Sequence, residues 1–203
     1  MATRTNLIYN PSFEVDTANV VGENNGAGSL TITRDTGTSQ VGSASLKAAM
    51  TAIGTFEEWR YKVRMNNTNN ISVVNGTTYT LSVYIKGSAA KTFKIALEEA
   101  AGASGYYSTA QTASTGSFTR HSLTFTATVD KSMTVNLILN QSDGAAWDCY
   151  ADAVLLEVSG SLNGYFDGAT SAGGFTYAWT GTANNSTSTE TTVATNSNFF
   201  AFF

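Results

Sequence analysis

The stretch Thr78-Tyr-Thr-Leu-Ser-Val-Tyr-Ile-Lys86 alternates apolar and polar side chains, and this pattern decides the fold class. Successive side chains of a β-strand point to opposite faces of the sheet. One face therefore carries Tyr79, Leu81, Val83 and Ile85, and the other carries Thr80, Ser82, Tyr84 and Lys86. The Asn75-Gly76 pair just before the stretch is a strong turn signal. Together these features predict a strand with one buried and one solvated face.

The same alternation recurs along the chain. It predicts further strands at 29–34, 44–50, 58–65, 92–99, 117–129, 133–140 and 149–158. A helix is an alternative over residues 92–99, but Phe93, Ile95 and Leu97 alternate there, which favours a strand. Strands spaced by about ten residues, with turn signals between them, are typical of a sandwich or barrel. We therefore predict an all-β sandwich.

Composition excludes several functional classes. Charged residues make up 13% of the 203 residues, and the formal net charge of −4 gives no electrostatic attraction to DNA or to an anionic membrane. The densest basic spot, Arg60, Lys62 and Arg64, is predicted to form the solvated face of a strand, with Trp59 and Tyr61 on the opposite face. We expect no nucleic-acid partner and no membrane partner. No signal peptide is visible, so we expect synthesis in the cytoplasm.

Candidate catalytic groups do not converge in this sequence. His121 and Ser122 are adjacent in a predicted strand, so their side chains should diverge. The pairs Glu57-Glu58 and Glu98-Glu99 should diverge for the same reason. The single cysteine, Cys149, lies among apolar and aromatic neighbours, as a buried thiol usually does. We expect no enzymatic activity.

Five blocks of sequence, in order, resemble the jelly-roll carbohydrate-binding modules of bacterial glycanases. The blocks are Asn6-Leu-Ile-Tyr-Asn-Pro-Ser-Phe-Glu14, Gly42-Ser-Ala-Ser-Leu-Lys47, 76–87, 117–125 and Tyr150-Ala-Asp-Ala-Val-Leu-Leu-Glu157. In that family the first block commonly reads N-L-[IL]-x-N-P-S-F-E. The resemblance covers about residues 6–158, and it implies a jelly-roll β-sandwich of two antiparallel sheets.

Glycan binding requires exposed aromatic rings that stack on sugar faces. The candidates are Trp59, Tyr61, Tyr84, Tyr106, Tyr107 and Trp147. The alternative is that these rings fill the core or a contact between subunits.

The same resemblance implies a structural calcium ion between the first and last strands. The matching positions are Glu14 and Asp152, whereas Ala153 replaces the family's second aspartate. The alternative is a hydrogen-bonded pair of carboxylates near turns. Apart from this ion we expect no cofactor.

The C-terminal segment resembles a second family. Tyr165-Phe-Asp-Gly168 and the stretch from Tyr177 to Ser188 are similar to the pattern Y-F-D-G … Y-x-W-T-G-T-x-x-x-S-T-S of phage minor tail proteins, notably from phages of actinobacteria. This resemblance implies an accessory virion protein, either a capsid decoration protein or a minor tail protein, which binds capsid or tail subunits and binds host-surface glycans weakly. The alternative is a free carbohydrate-binding module or the accessory domain of a hydrolase.

Two units follow from these resemblances, namely a jelly roll at 1–160 and a turn-rich segment with an arm at 161–203. The chain closes on Phe199, Phe200, Phe202 and Phe203, four rings that would form a sticky patch in water. We therefore predict that residues 184–203 form an extended arm. This arm would anchor the protein to a neighbouring virion subunit or hold together a homo-oligomer, with a trimer favoured.

Overall fold

A computed structural model describes residues 2–52, 57–99 and 104–194 of the chain. Its regular structure there consists of fifteen strands. They are β1 (Thr3–Asn6), β2 (Val21–Asn24), β3 (Leu30–Asp35), β4 (Ser45–Met50), β5 (Glu57–Met65), β6 (Ile71–Val73), β7 (Thr78–Gly87), β8 (Thr92–Glu99), β9 (Gly105–Tyr107), β10 (Gln111–Thr112), β11 (Thr119–Thr126), β12 (Lys131–Gln141), β13 (Trp147–Val158), β14 (Phe175–Trp179) and β15 (Ser188–Thr192).

Two antiparallel sheets enclose the core. The seven-stranded sheet has the order β10-β8-β12-β5-β2, with β6 paired to β12 and β9 paired to β8. The five-stranded sheet has the order β11-β7-β13-β4-β3. The apolar residues of every second position face inward, as Leu81, Val83 and Ile85 of β7 do, and they are at most 3% exposed. The prediction of an all-β jelly-roll sandwich is confirmed.

The long strands match their predicted positions because their alternation is regular. The shorter strands β1, β2, β6, β9, β10, β14 and β15 were not predicted. Several of them, such as β2 and β14, carry mostly exposed residues and so give no hydrophobic period to read.

Two bulges interrupt the long strands. The pairing of β12 with β5 shifts register between Leu139 and Gln141, where Trp59 has a φ of 56°. The pairing of β13 with β7 shifts between Asp152 and Leu155, next to Ala153 with a φ of 50°. β5 advances four residues against two of β12 at the first shift, and β13 advances three against two of β7 at the second, so the alternation is broken at each point. Both bulges therefore change which side chains face outward.

A small third sheet joins the two ends of the described chain. β15 lies between β1 and β14, and Thr3 pairs with Thr191. Arg4 connects this sheet to the sandwich: its Nε donates to Glu157 Oε2 at 2.8 Å and its Nη1 to Glu190 Oε1 at 2.6 Å. The guanidinium also lies 4.8 Å from the centroid of the buried Phe166 ring. The C-terminal hairpin is thus held by strand pairing and by a partly buried ion-pair cluster.

This third sheet corrects the prediction of an extended arm that begins at residue 184. Residues 188–192 form the central strand of a sheet within the chain, because β1 and β14 both supply backbone hydrogen-bond partners. The boundary between units at 160/161 stays a prediction, although β1 and β15 pair across it. Phe199, Phe200, Phe202 and Phe203 lie outside the described residues. Within the described ranges, no helix is long and apolar enough to cross a membrane.

Candidate functional site

The outer face of the seven-stranded sheet is polar and yet buried. Along β12, the side chains that point away from the core are Thr134, Asn136, Ile138 and Asn140, and they are only 1 to 7% exposed. We call this surface the recessed face. It comprises those four residues together with Lys62, Arg64, Lys94, Ala96, Glu98 and Tyr107 from the neighbouring strands.

Strand register places these side chains next to one another. Asn136 lies opposite Arg64 of β5 and opposite Ala96 of β8. Ile138 lies opposite Lys62 and Lys94 in the same two strands. Long charged side chains therefore flank a central row that is polar except for Ile138. This arrangement explains why β12 is buried on its outer side.

Ion pairs organise the charges of the recessed face. Lys62 Nζ donates to both carboxylate oxygens of Glu98 at 2.8 and 2.9 Å, and the Tyr107 hydroxyl donates to Glu98 Oε1 at 2.9 Å. Burial, and secondarily this contact with Glu98, raises the pKa of Tyr107 to about 12. Arg64 forms an ion pair with Glu23 of β2 at 2.8 Å. The hydroxyl of Tyr107 therefore remains a neutral donor at physiological pH.

Three buried polar atoms of this face lack a hydrogen-bond partner among the described residues. They are Arg64 Nε, Asn136 Oδ1 and Asn140 Oδ1. Buried polar atoms are normally hydrogen-bonded, because an unmade bond leaves their desolvation uncompensated. The face therefore holds one donor and two acceptors whose hydrogen bonds are not made among the described residues.

Trp59 also belongs to the recessed face, contrary to its predicted placement. The bulge at this residue breaks the alternation of β5, so that Tyr61 turns into the core while the Trp59 ring contacts Lys94. The Lys94 ammonium lies 4.2 Å from the ring centroid, within the range of a cation–π interaction. The prediction that Trp59 and Tyr61 share a face is wrong.

The six predicted glycan-binding aromatics do not form one site. Tyr61 and Trp147 are 0% and 2% exposed, so the core occupies the ring faces that a sugar would need. Tyr106 turns inward and stacks on Phe125 at 4.2 Å. Trp59 and Tyr107, which is 49% exposed, lie on the recessed face, whereas Tyr84 lies on the five-stranded sheet. Tyr61 and Trp147 are therefore corrected to core residues.

The predicted calcium ligands carry backbone hydrogen bonds instead. Asp152 Oδ2 accepts from the amides of Gln40 and Val41 at 2.7 and 3.0 Å. Glu14 accepts from the amides of Ser43 and Ala44 at 3.0 to 3.2 Å. Cations require several converging oxygen ligands, whereas amide N–H groups carry partial positive charge. The described residues include no group of three or more His, Cys, Asp or Glu side chains suited to a metal, and the calcium site stays a prediction.

His121 and the pair Glu98-Glu99 make separate contacts, whereas the side chains of Glu57 and Glu58 lie outside the described residues. His121 packs edge-on against Phe93 at 4.8 Å, and burial lowers its pKa. Glu98 binds Lys62 on the recessed face, whereas Glu99 pairs with Lys131 at 2.9 Å. Glu98 and Glu99 therefore do not share one acid–base site.

Sequence reasoning missed Asn136, Asn140 and Glu98 as site residues. The available signal was weak: the outward positions of β12 carry amides and an isoleucine rather than the charges of an ordinary solvated face. What distinguishes these residues from other outward-facing strand residues is their burial, and the burial is known only from the structure.

The fold is shared with carbohydrate-binding modules of known structure. A structure described as "CBM4 structure and function" is 22% identical and has a TM-score of 0.51, over 70% of this chain and 95% of that one. The N-terminal cellulose-binding domain of Cellulomonas fimi β-1,4-glucanase C is 20% identical with a TM-score of 0.53, over 74% and 95%. An arabinose-bound MgGH51 α-L-arabinofuranosidase is 16% identical with a TM-score of 0.61, over 75% of this chain and 26% of the enzyme. This chain thus spans about a quarter of that enzyme.

These likenesses show a jelly-roll fold. The chain belongs to the carbohydrate-binding domain family whose sequence profile matches residues 5–146. This confirms the first of the two resemblances. The second pattern, at 165–188, lies outside the matched residues. Among curated protein sequences, no match was found.

Proposed function

We propose that the chain binds a carbohydrate through the recessed face and does not transform it. The observation that carries this proposal is the set of buried, unpartnered atoms Arg64 Nε, Asn136 Oδ1 and Asn140 Oδ1. Sugar hydroxyls both donate and accept hydrogen bonds, so they can satisfy all three atoms. Family membership over residues 5–146 supports the same class of ligand.

The remaining groups of the face suit a sugar ring. Ile138 supplies an apolar surface in the central row, and Trp59 supplies a ring at its side. Pyranose rings combine apolar C–H faces with polar edges, so they match aromatic and aliphatic surfaces flanked by amides. The ion pairs of Lys62 and Arg64 fix the positions of the flanking side chains.

Calorimetric titration with neutral oligosaccharides, cellotetraose and xylotetraose among them, tests this proposal. We expect the double variant N136A/N140A to weaken binding about tenfold or more, since each lost hydrogen bond contributes about 1 kcal/mol. Asn67→Ala is a matched control, because that asparagine is exposed in the loop after β5. The proposal is rejected if no neutral glycan binds, or if N136A/N140A binds as tightly as the wild type.

A second candidate function rests on the C-terminal segment. The pattern at 165–168 and 177–188 supports an accessory structural role in a bacteriophage particle, on the head or the tail, with virion subunits as partners and a trimer as the favoured assembly. Glycan binding by the jelly roll would then contribute weak attachment to the host surface. In this chain the pattern residues pack the hairpin onto the sandwich: Phe166 is fully buried, and Gly168 lies against the Trp179 ring.

Mass spectrometry of purified particles tests the virion role, and light scattering of the full chain against a chain ending at Asn198 tests the assembly. We expect the protein in the particles, an oligomer for the full chain and a monomer after truncation. Absence from particles would reject the virion role. A full chain that is already monomeric would reject the anchoring role of the terminal phenylalanines.

A further inference from the structure

A second polar and aromatic surface lies on the opposite side of the sandwich. Tyr84 and Lys86 of β7 point outward, since Val83 and Ile85 between and beside them belong to the core. Tyr150 of the adjacent strand β13 lies directly opposite Lys86. Both tyrosines are half-buried. We call the surface formed by Lys47, Tyr84, Lys86, Arg120 and Tyr150 the tyrosine face.

Each tyrosine ring has a cation beside it. The Arg120 guanidinium lies 5.6 Å from the centroid of the Tyr84 ring, and Lys47 Nζ lies 5.6 Å from that of Tyr150. Lys47 is paired with Asp148 at 2.8 Å. The tyrosine face therefore combines flat rings with positive charge along two neighbouring strands.

Two of its cations have no carboxylate within ion-pair distance among the described residues. Arg120 donates to Ser82 Oγ at 2.8 and 3.2 Å, and Lys86 has a single long contact of 3.4 Å to Thr38 Oγ1. Burial lowers the pKa of the Arg120 guanidinium, and the charge interactions with Tyr84 and Glu157 offset this only in part. An anion bound here would supply the missing partner.

A shallow cavity of about 350 Å³ adjoins the Tyr150 end of this surface. Its lining includes Lys86, Tyr150, Thr38, Ser88 and Thr115, which supply hydroxyl groups and one ammonium. The lining also includes the Asp35 carboxylate, which accepts hydrogen bonds from the amides of Gly37 and Thr38. The cavity can therefore hold a polar group of the size of one sugar unit next to a cation.

We propose that the tyrosine face is a second ligand site, which binds an oligosaccharide that carries carboxylates, such as a chain of uronic acid units. One unit would stack at Tyr150 with its carboxylate near Lys86, and the next would lie along β7 toward Tyr84 and Arg120. Outward side chains along a strand repeat at about 6.8 Å, so Tyr84 and Lys86 can contact successive units. Sugar stacking on the rings and pairing with the two free cations then act on the same ligand.

Titration with tetragalacturonic acid, and with its fully methyl-esterified form as the uncharged counterpart, tests this inference. We expect the acid to bind and the ester to bind about tenfold more weakly or not at all, because a hydrogen bond to a charged group is stronger than one between neutral groups. Lys86→Gln and Arg120→Gln should each weaken binding of the acid several-fold, and added salt should do the same. Lys131→Gln, a matched loss of charge outside both faces, where Lys131 pairs with Glu99, should leave it unchanged.

The outcomes separate this site from the recessed face. Failure of the wild type to bind tetragalacturonic acid overturns the inference, and so does binding that Lys94→Gln on the recessed face removes while Lys86→Gln and Arg120→Gln leave it intact. Loss of neutral-glycan binding in N136A/N140A tests the proposal for the recessed face and has no bearing on the tyrosine face. Far-ultraviolet circular dichroism of each variant verifies the fold, which should persist because both cations lie on the surface of the sheet.

Discussion

Replacement of Arg4 by alanine should detach the C-terminal hairpin and destabilise the protein. The side chain pairs with both oxygens of Glu157 at 2.8 and 2.9 Å and with Glu190 at 2.6 Å, and it donates to the carbonyl of Gly164 at 3.1 Å. Four hydrogen bonds and the contact with Phe166 are lost at once. Alanine supplies none of them.

The magnitude follows from the burial of the two partners. The side chains of Glu157 and Glu190 are 2% and 10% exposed, so their carboxylates would remain buried without a cation. Removal of one partner from a buried ion pair costs about 3–5 kcal/mol, and the 28% exposure of Arg4 lets water enter, so we expect about 3 kcal/mol. At this chain length, 1 kcal/mol shifts Tm by about 2–4 °C, so we expect a decrease in Tm of about 10 °C.

Thermal unfolding measures the global effect, and hydrogen exchange of peptides from β14 and β15 measures the local one. Exchange in the hairpin should accelerate before that of β7 or β12, because those strands keep all their pairing partners. Arg4→Lys should be intermediate, since an ammonium keeps the charge but loses the two-point contact with Glu157. Lys91→Ala, which breaks a surface ion pair with the exposed Asp143, should change nothing measurable.

The reasoning is refuted if Arg4→Ala unfolds at the wild-type temperature and its hairpin exchanges at the wild-type rate. That result would mean that strand pairing alone holds the third sheet.

Three further predictions follow from single positions. Gly168→Ala should destabilise the fold by about 1–3 kcal/mol in urea unfolding, because a Cβ would approach the Trp179 ring to 2.3 Å, whereas Gly173→Ala meets no atom within 4 Å and should be neutral. Cys149 is fully buried, and burial raises its pKa, so it should react with a thiol reagent only after unfolding; reaction in the native protein would contradict this. Burial raises the pKa of Asp152 to about 7, above its unfolded value, so stability should fall as pH rises from about 4 to about 7. Asp152→Asn should flatten that dependence, and an equally steep curve in the variant would assign it to other groups.

The sequence predicts the sandwich because its long strands alternate without interruption. Apolar side chains occupy alternate positions from Tyr79 to Ile85 in β7 and from Phe93 to Leu97 in β8, and all of them are buried in the structure. The bulges are different. A left-handed conformation at Trp59 has no signature in residue type, so the sequence assigned Trp59 and Tyr61 to one face. The register shift there, across which β5 advances four residues and β12 only two, moves a candidate ring from the core to the recessed face.

The sequence predicted the class of ligand for the candidate site, but it did not predict which residues form the site. Aromatic side chains were the expected signal for glycan binding, yet the core takes Tyr61 and Trp147 because large rings also fill the interior best. The recess instead depends on which strands lie beside β12. β8 ends at Glu99 and β5 at Met65, far before β12 begins at Lys131, and the order of strands in a sheet is not encoded in their periodicity.

The pairing of β1 with β15 also sets an order of events in folding. Arg4 and Glu190 are 186 residues apart, so nearly the whole described chain must be synthesised before β1 meets its partner. Closing so long a loop carries a large entropic cost, and contacts of this separation slow folding. We expect the sandwich to form first and the third sheet to close last, as the slowest step. During that interval β1 is an unpaired edge, and a second copy of β15 from another molecule could pair with it, so refolding at high concentration should favour strand-exchanged dimers.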